Sequence, residues 1–295
     1  VPYLALLAGC LACSTSVLWI KLSTVDAVLL SGLRLAIAAL FLSPWAFRDW
    51  RRHRAQLNWT HLRDSALPGF VLTAHFITWI YGARMTLATN GSLVVNLTPI
   101  ATPFLLAALS GERVTRREIA ATLLASVGLA IMFVADYQMA PETFYGDLVC
   151  FGSMILFALY MVFGRKFRHH PTTMLYVTPL YAFAALAALI IAPLVGERWP
   201  SDWQAELPWV LLLAFLPTII GHSLLNQAMR VLRGQVVAIV NMSQFVFAGL
   251  LAWAVLGERP EAPFYAAALF VIAAAAVAAG ADRRWRTARV VSEAT

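Results

Sequence analysis

Gly111-Glu112-Arg113-Val114 and Gly257-Glu258-Arg259-Pro260 place one short motif at two points in the chain, each time between two long apolar stretches. Working outward from the two copies, the chain reads as two related halves around a shared centre. Of its 295 residues 61% are hydrophobic and 13% charged. That is more apolar surface than one water-facing core can hide, which makes this an integral membrane protein. A helix crossing about 30 Å of hydrocarbon needs about 20 mostly apolar residues. Stretches near 3–20, 25–47, 65–87, 91–110, 117–135, 147–164, 173–195, 208–230, 236–256 and 262–281 meet that requirement.

The net charge of +7 tracks alternate loops rather than a nucleic-acid-binding face. Seventeen Lys and Arg lie in 48–64, 111–117, 165–168, 230–235 and beyond 281, whereas the opposite loops hold only Lys21, Arg84, Arg198 and Arg259. The positive-inside rule then puts both termini in the cytoplasm. Trp50, Trp59, Trp199, Trp203, Trp209 and Trp285 stand at segment ends, where a ring with one polar edge prefers the headgroup zone.

Leu7-Ala8-Gly9-Cys10 has the look of a lipoprotein cleavage box, but no basic segment precedes it and the apolar run continues to Ile20. Cys10 and Cys13 have Cys-x-x-Cys spacing. Inside an apolar helix they read as packing residues, because redox or metal chemistry needs a stabilised thiolate.

Aligning the halves lays Ala83-Arg84-Met85 over Ala228-Met229-Arg230 and Asn96 over Asn241, both at an offset of 145, against 146 for the Gly-Glu-Arg copies. Ser31-Gly32-Leu33 matches Thr178-Pro179-Leu180. Each half therefore holds five helices, 1–137 and 138–295. Five is odd, so the second repeat enters the membrane from the opposite side. The expected fold is an all-α membrane protein of ten transmembrane helices in two inverted five-helix repeats. Such a pair can exchange the conformations of its halves, giving alternating access to a central site.

Arg34, Tyr81-Gly82-Ala83, the Pro99 region with the first Gly-Glu-Arg copy, and the segment from Ala228 through the second copy carry a resemblance that spans the chain. In these features the chain resembles the drug/metabolite transporter superfamily, in its ten-helix branch of two EamA-type domains. Within that branch, His75-Phe76-Ile77-Thr78-Trp79-Ile80-Tyr81 and the polar-aromatic fourth helix are most similar to bacterial exporters of aromatic amino acids. The resemblance implies a bacterial inner-membrane exporter. Tyr181, where the repeat would place a partner for Arg34, departs from the pattern.

A solute site must replace water with polar side chains at membrane depth. His75, Thr78, Trp79 and Gly82 recur at helical spacing on the third helix. They read either as a cavity wall, with Trp79 as a flat apolar face and His75 as a polar contact, or as packing. Asn96 sits just before Thr98-Pro99 and Thr102-Pro103, and Pro99 and Pro103 free carbonyls of the preceding turn, marking a hinge or kink. The counterpart helix offers Asn241, Ser243 and Gln244 without proline, so the halves are expected to be related but not equivalent. His222 and Asn226 share a face of the eighth helix. Tyr160, with Phe157 and Gly164, marks the sixth, and Ser16 and Trp19 the first. Together His75, Trp79, Asn96, Tyr160, His222, Asn226, Asn241, Ser243 and Gln244 form the candidate substrate site. Arg34, deep in the second helix, faces either a substrate carboxylate or helix C-terminal carbonyls.

No Asp or Glu falls in the middle of a span, which argues against a proton-coupled exporter of lipophilic cations. Only one buried Arg argues against a phosphate or nucleotide-sugar carrier. An enzyme is disfavoured too: there is no His-Glu-x-x-His, no paired carboxylate, and His169-His170 lacks metal-ligand spacing. No metal, cofactor or nucleic acid is expected. The expected partners are the lipid bilayer and a small neutral or zwitterionic substrate, an aromatic or large hydrophobic amino acid, moved without proton coupling. Proton-coupled export of multiple drugs or of another metabolite, and a non-transporting membrane sensor or scaffold, remain as alternatives, and oligomeric state stays open. The Gly-Glu-Arg turns read as structural, with Gly in left-handed backbone and Glu and Arg capping helix ends or pairing locally.

Overall fold

A computed structural model of the chain describes residues 2–139 and 143–294, and among them every regular element is a helix. In lipid a backbone must satisfy its own polar groups, and the apolar runs do so as helices. The first rod is α1 (Pro2–Ser14) and α2 (Ser16–Leu22), joined at Thr15; α3 (Ala27–His53) and α4 (Trp59–Met85) follow. The fourth rod is α5 (Ala88–Val95) with α6 (Thr98–Ser110), and α7 (Arg116–Met139) closes the first half. The second half has α8 (Phe144–Lys166), α9 (Thr173–Leu194) and an eighth rod of α10 (Trp203–Leu213), a π-helix (Ala214–His222) and α11 (Ser223–Val231). Last come α12 (Gly234–Asn241) with α13 (Ser243–Leu256), and α14 (Ala262–Ala294). Among the described residues nine of these rods are long and apolar enough to cross a membrane, and α7 stands in the place of the remaining one.

Several helices outlast their apolar runs. α4 begins at Trp59 rather than 65 because the Asn58 side chain accepts from Thr60 N at 3.2 Å while the His61 ring faces Asn58 N. α10 begins at Trp203 rather than 208, with Asp202 accepting from Gln204 N and Ala205 N. These caps satisfy the orphan N–H groups of a first turn and let a helix start outside the hydrocarbon. α3 likewise runs on to His53 and α14 to Ala294. The side chains of Trp285 and the basic residues after 281 lie outside those described, as does the segment 140–142 that follows the 137/138 division between halves.

The packing repeats when each rod of one half is exchanged for its counterpart. α3 packs on α9, and α7 on α14. α4 packs on α8 as the π-helix and α11 pack on α1, and α6 on α8 as α13 on α1. An odd number of crossings per half makes the two repeats inverted. Small residues allow these approaches: a Cβ on Gly128 would stand 2.9 Å from Ala267 O, at the α7–α14 seam.

The fourth rod breaks at Asn96-Leu97, before Pro99, but the ninth breaks at the matching place, Met242, with no proline nearby. Both breaks are turns tightened by i→i+3 bonds, Asn96 N to Leu93 O and Met242 N to Ile239 O. Proline is thus not required for the interruption, and the two halves are more alike here than composition implied.

Candidate functional site

The breaks in the fourth and ninth rods meet at the centre. Asn241 Nδ2 donates to Asn96 Oδ1 at 2.7 Å, Gln244 Nε2 to Asn241 Oδ1 at 2.5 Å, and Asn96 Nδ2 to Ser92 O at 2.8 Å. This amide chain ties the two repeats together across the symmetry axis. Beside it lies a cavity of about 30 Å³, bounded by Cys13, Ser16, His75, Phe76, Trp79 and Phe157 with Asn96, His222 and Gln244. That volume holds a water or two, so a solute requires the helices to separate.

Several wall residues are held by groups outside the cavity. His75 Nδ1 lies 3.1 Å from Ser153 O and 2.9 Å from Ser153 Oγ on α8, and its ring stacks on Phe157 with centroids 4.7 Å apart. Trp79 Nε1 donates to Ser16 Oγ at 3.3 Å. His222, at the end of the π-helix, meets Phe76 edge-on with centroids 5.0 Å apart. Asn226 Nδ2 donates to Tyr160 OH at 2.5 Å and to His222 O at 2.8 Å.

Of the residues selected from sequence, His75, Trp79, Asn96, His222 and Gln244 share the cavity wall. Tyr160, Asn226 and Asn241 stand one layer behind it. Ser243 is buried outside the wall. Pro99 opens α6, where its carbonyl accepts from Gln235 Nε2 at 3.0 Å, and Pro103 lies inside that helix. Thr78 and Gly82, from the same stripe as Trp79, are packing residues. The Thr78 hydroxyl turns back to Ala74 O, and a Cβ on Gly82 would meet Cys150 Sγ at 2.6 Å. Sequence reasoning passed over Phe76, Cys13 and Ser153. The first two are apolar or sulfur groups without a polar signal, and Ser153 is revealed only by the α4–α8 contact.

The Gly-Glu-Arg turns do more than cap locally. Gly111 and Gly257 adopt left-handed backbone, φ 68° and 74°, and each ends a helix. Each following Glu then reaches the opposite repeat. Glu112 accepts from Gly234 N at 3.0 Å and pairs with Arg165 at 2.6 Å; Glu258 accepts from Ala88 N at 2.8 Å and pairs with Lys21 at 3.4 Å. A third Gly-Glu-Arg, at 196–198, escaped the repeat reading because the first half has no copy at the matching position. It behaves alike: Gly196 has φ 82°, and Glu197 accepts from Val28 N and Leu29 N at the start of α3. All three carboxylates sit on the N-terminus of a helix from the other half, where the dipole favours negative charge.

His61 joins His169 and His170 in a ring cluster near one end, with His169 3.5 Å from Asp64. Burial pushes the His170 imidazole below its ordinary pKa. Among the described residues no group of three or more His, Cys, Asp or Glu converges on a metal site.

This architecture of paired inverted five-helix units corresponds to one family model, that of EamA-like transporters, which matches twice, over residues 1–134 and 144–280. The chain belongs to the EamA-like transporter family. A curated relative, an uncharacterized transporter of Bacillus subtilis (strain 168) called YyaM, is 23% identical over 158 residues. The match covers 50% of each chain, so this EamA-like chain matches about half the length of that relative. A solved structure titled only "Crystal structure of protein" aligns with TM-score 0.73 at 22% identity, covering 96% of this chain and 98% of that one. The likeness is one of fold.

Proposed function

We propose that this transporter exports neutral or zwitterionic metabolites, aromatic or large hydrophobic amino acids above all, across the bacterial inner membrane by alternating access. The observation that carries the reading is the wall of the central cavity: Phe76, Trp79 and Phe157 with His75, His222 and an amide chain, and no carboxylate among the lining residues. Flat rings accept an apolar side chain, while amides and imidazoles replace the water of its polar end. The resemblance of the third helix to aromatic amino acid exporters points the same way.

In the mechanism, the Asn96–Asn241 contact is the pivot between repeats, and the Glu112 and Glu258 brackets are gates at opposite ends. The positive-inside count assigns the Glu112 end and both termini to the cytoplasm. The repeat units are 1–137 and 138–295. Release of one bracket opens the cavity to one side while the other stays shut, so the solute's own gradient suffices to drive flux.

Counterflow of labelled phenylalanine in proteoliposomes tests this. Trp79→Ala and Asn96→Ala are each expected to lower the rate about tenfold or more, the second by leaving Asn241 without its acceptor. Unchanged rates in both variants remove the site. Absence of counterflow in the wild type favours a sensor, and strict dependence on a pH gradient replaces facilitated flux by proton coupling.

A further inference from the structure

Arg34 is fully buried in α3, and none of the ion pairs among the described residues includes it. Its Nε donates to Thr218 Oγ1 at 2.8 Å, and its guanidinium carbon rests 3.9 Å from the centroid of Phe76. Nη1 and Nη2 have no partner. A guanidinium offers five N–H donors, so one is used and four are not. Leaving them idle in a low-dielectric interior is costly, and an intramembrane cation without a counter-charge marks a functional position. Helix C-terminal carbonyls, the structural role weighed from sequence, do not satisfy these donors.

The surroundings hold the guanidinium by one edge and leave the other free. Thr218 belongs to the π-helix, where its hydroxyl also donates to Leu213 O at 2.9 Å, and Tyr181 OH donates to Thr218 O at 3.3 Å. Tyr181, the symmetry counterpart of Arg34, thus meets the same threonine. π-Helical turns are rare and concentrate at functional positions. This one carries Thr218 to Arg34 and ends at His222, whose Nδ1 is also without a partner. Arg34 and His222 both pack on Phe76, and Phe76 and His222 are cavity wall. The free guanidinium edge therefore lies one side chain behind the solute chamber.

We propose that the Nη edge of Arg34 is the carboxylate subsite of the transporter, exposed when the Phe76 ring turns aside, and that its ligand is a monocarboxylate with an apolar side chain. The two terminal N–H groups match the two carboxylate oxygens in the end-on fork geometry. The stacked ring screens the cation until the solute arrives. This inference rests on the amino acid reading and narrows it to solutes with a free carboxylate.

The test measures competition against labelled phenylalanine counterflow by phenylalanine, phenylalaninamide and 3-phenylpropionate, on wild-type protein and on Arg34→Gln in proteoliposomes. In the wild type, loss of the carboxylate is expected to weaken competition about 10- to 100-fold. 3-Phenylpropionate is expected to compete better than the amide, and how far it falls short of phenylalanine separates a free acid from a zwitterion. In Arg34→Gln, reconstituted after size-exclusion confirms a folded monodisperse protein, the phenylalanine-to-amide ratio is expected to approach one while competition by the amide itself holds. A purely structural arginine would weaken all three solutes together and preserve the ratio, which overturns the proposal. If the variant does not fold, the wild-type ratio decides: equal competition by acid and amide overturns the Arg34 subsite while leaving amino acid transport intact. No phenylalanine counterflow at all sinks the transport reading itself.

Discussion

The two ends of the molecule are built on one plan with different side chains. At one end Arg165, finishing α8, pairs with Glu112 and donates to Met229 O and Leu232 O, while Glu112 also holds Gly234 N. At the other end Lys21, near the end of α2, pairs with Glu258 and donates to Thr86 O, while Glu258 holds Ala88 N. A guanidinium fork makes three contacts where an ammonium makes two. The Arg165–Glu112 pair is 9% and 10% exposed, against 19% and 23% for Lys21–Glu258. Water therefore weakens the second bracket more. The Glu112 end has one further pair, Arg233 with Glu118 at 2.5 Å; Arg233 precedes α12, and the residue that precedes α5 at the other end, Leu87, is apolar. The lesson is that the two repeats share a bracket design while the brackets differ in their contacts and burial, and the more buried, better-bonded one is at the Glu112 end.

The largest test of that inequality removes its extra element. Glu118 is fully buried and accepts from Arg233 Nε and Nη2. Glu118→Ala leaves a buried guanidinium short of its main counter-charge, and breaking a buried pair costs about 3–5 kcal/mol. A denaturation midpoint in detergent is expected to fall accordingly. A loss under about 1 kcal/mol would mean that Glu112, 3.9 Å from Arg233, already balances it, and the two ends would be closer in strength than their geometry indicates.

A direct comparison neutralises each bracket in turn. Glu112→Gln is expected to loosen its end by about 2 kcal/mol and Glu258→Gln by about 1 kcal/mol, in line with burial. Amide hydrogen exchange reads both in one experiment. Exchange at the start of α12 is expected to rise about 30-fold in the first variant, and at the start of α5 about fivefold in the second. Equal increases would erase the asymmetry, and a reversed order would place the stronger lock at the Glu258 end.

The residues that announced themselves in sequence are those whose signal is local. Apolar length found the rods, the duplicated turn found the two halves, and helical spacing put His75 and Trp79 on one face of α4. Contacts that depend on how one rod turns against another had no such signal. Ser153 meets His75 across 78 positions of sequence, and the rotation of α8 that brings them together is set by packing with α4 and α6. The π-helix was hidden for a related reason. Pro217 and Gly221 within it are compatible with an ordinary kinked membrane helix, and no residue pattern there announces the wider turn. The third Gly-Glu-Arg was in plain view, yet a search by repeat symmetry discards a copy with no counterpart at the matching position of the other half.

The smallest effect separates what the turns share from what their partners add. Gly111, Gly196 and Gly257 all have positive φ, and a Cβ added at any of them meets nothing within 4 Å. Replacement by Ala then costs only the backbone preference, about 1–2 kcal/mol at each site, with no packing contribution to tell them apart. Equal losses of denaturation midpoint in Gly111→Ala, Gly196→Ala and Gly257→Ala would make the turn a common backbone device. The inequality between the ends would then belong to the carboxylates and the cations they hold. A larger loss at Gly111 would show instead that strain in the turn is transmitted through Glu112 into the tighter bracket, so that backbone and ion pair act there as one unit.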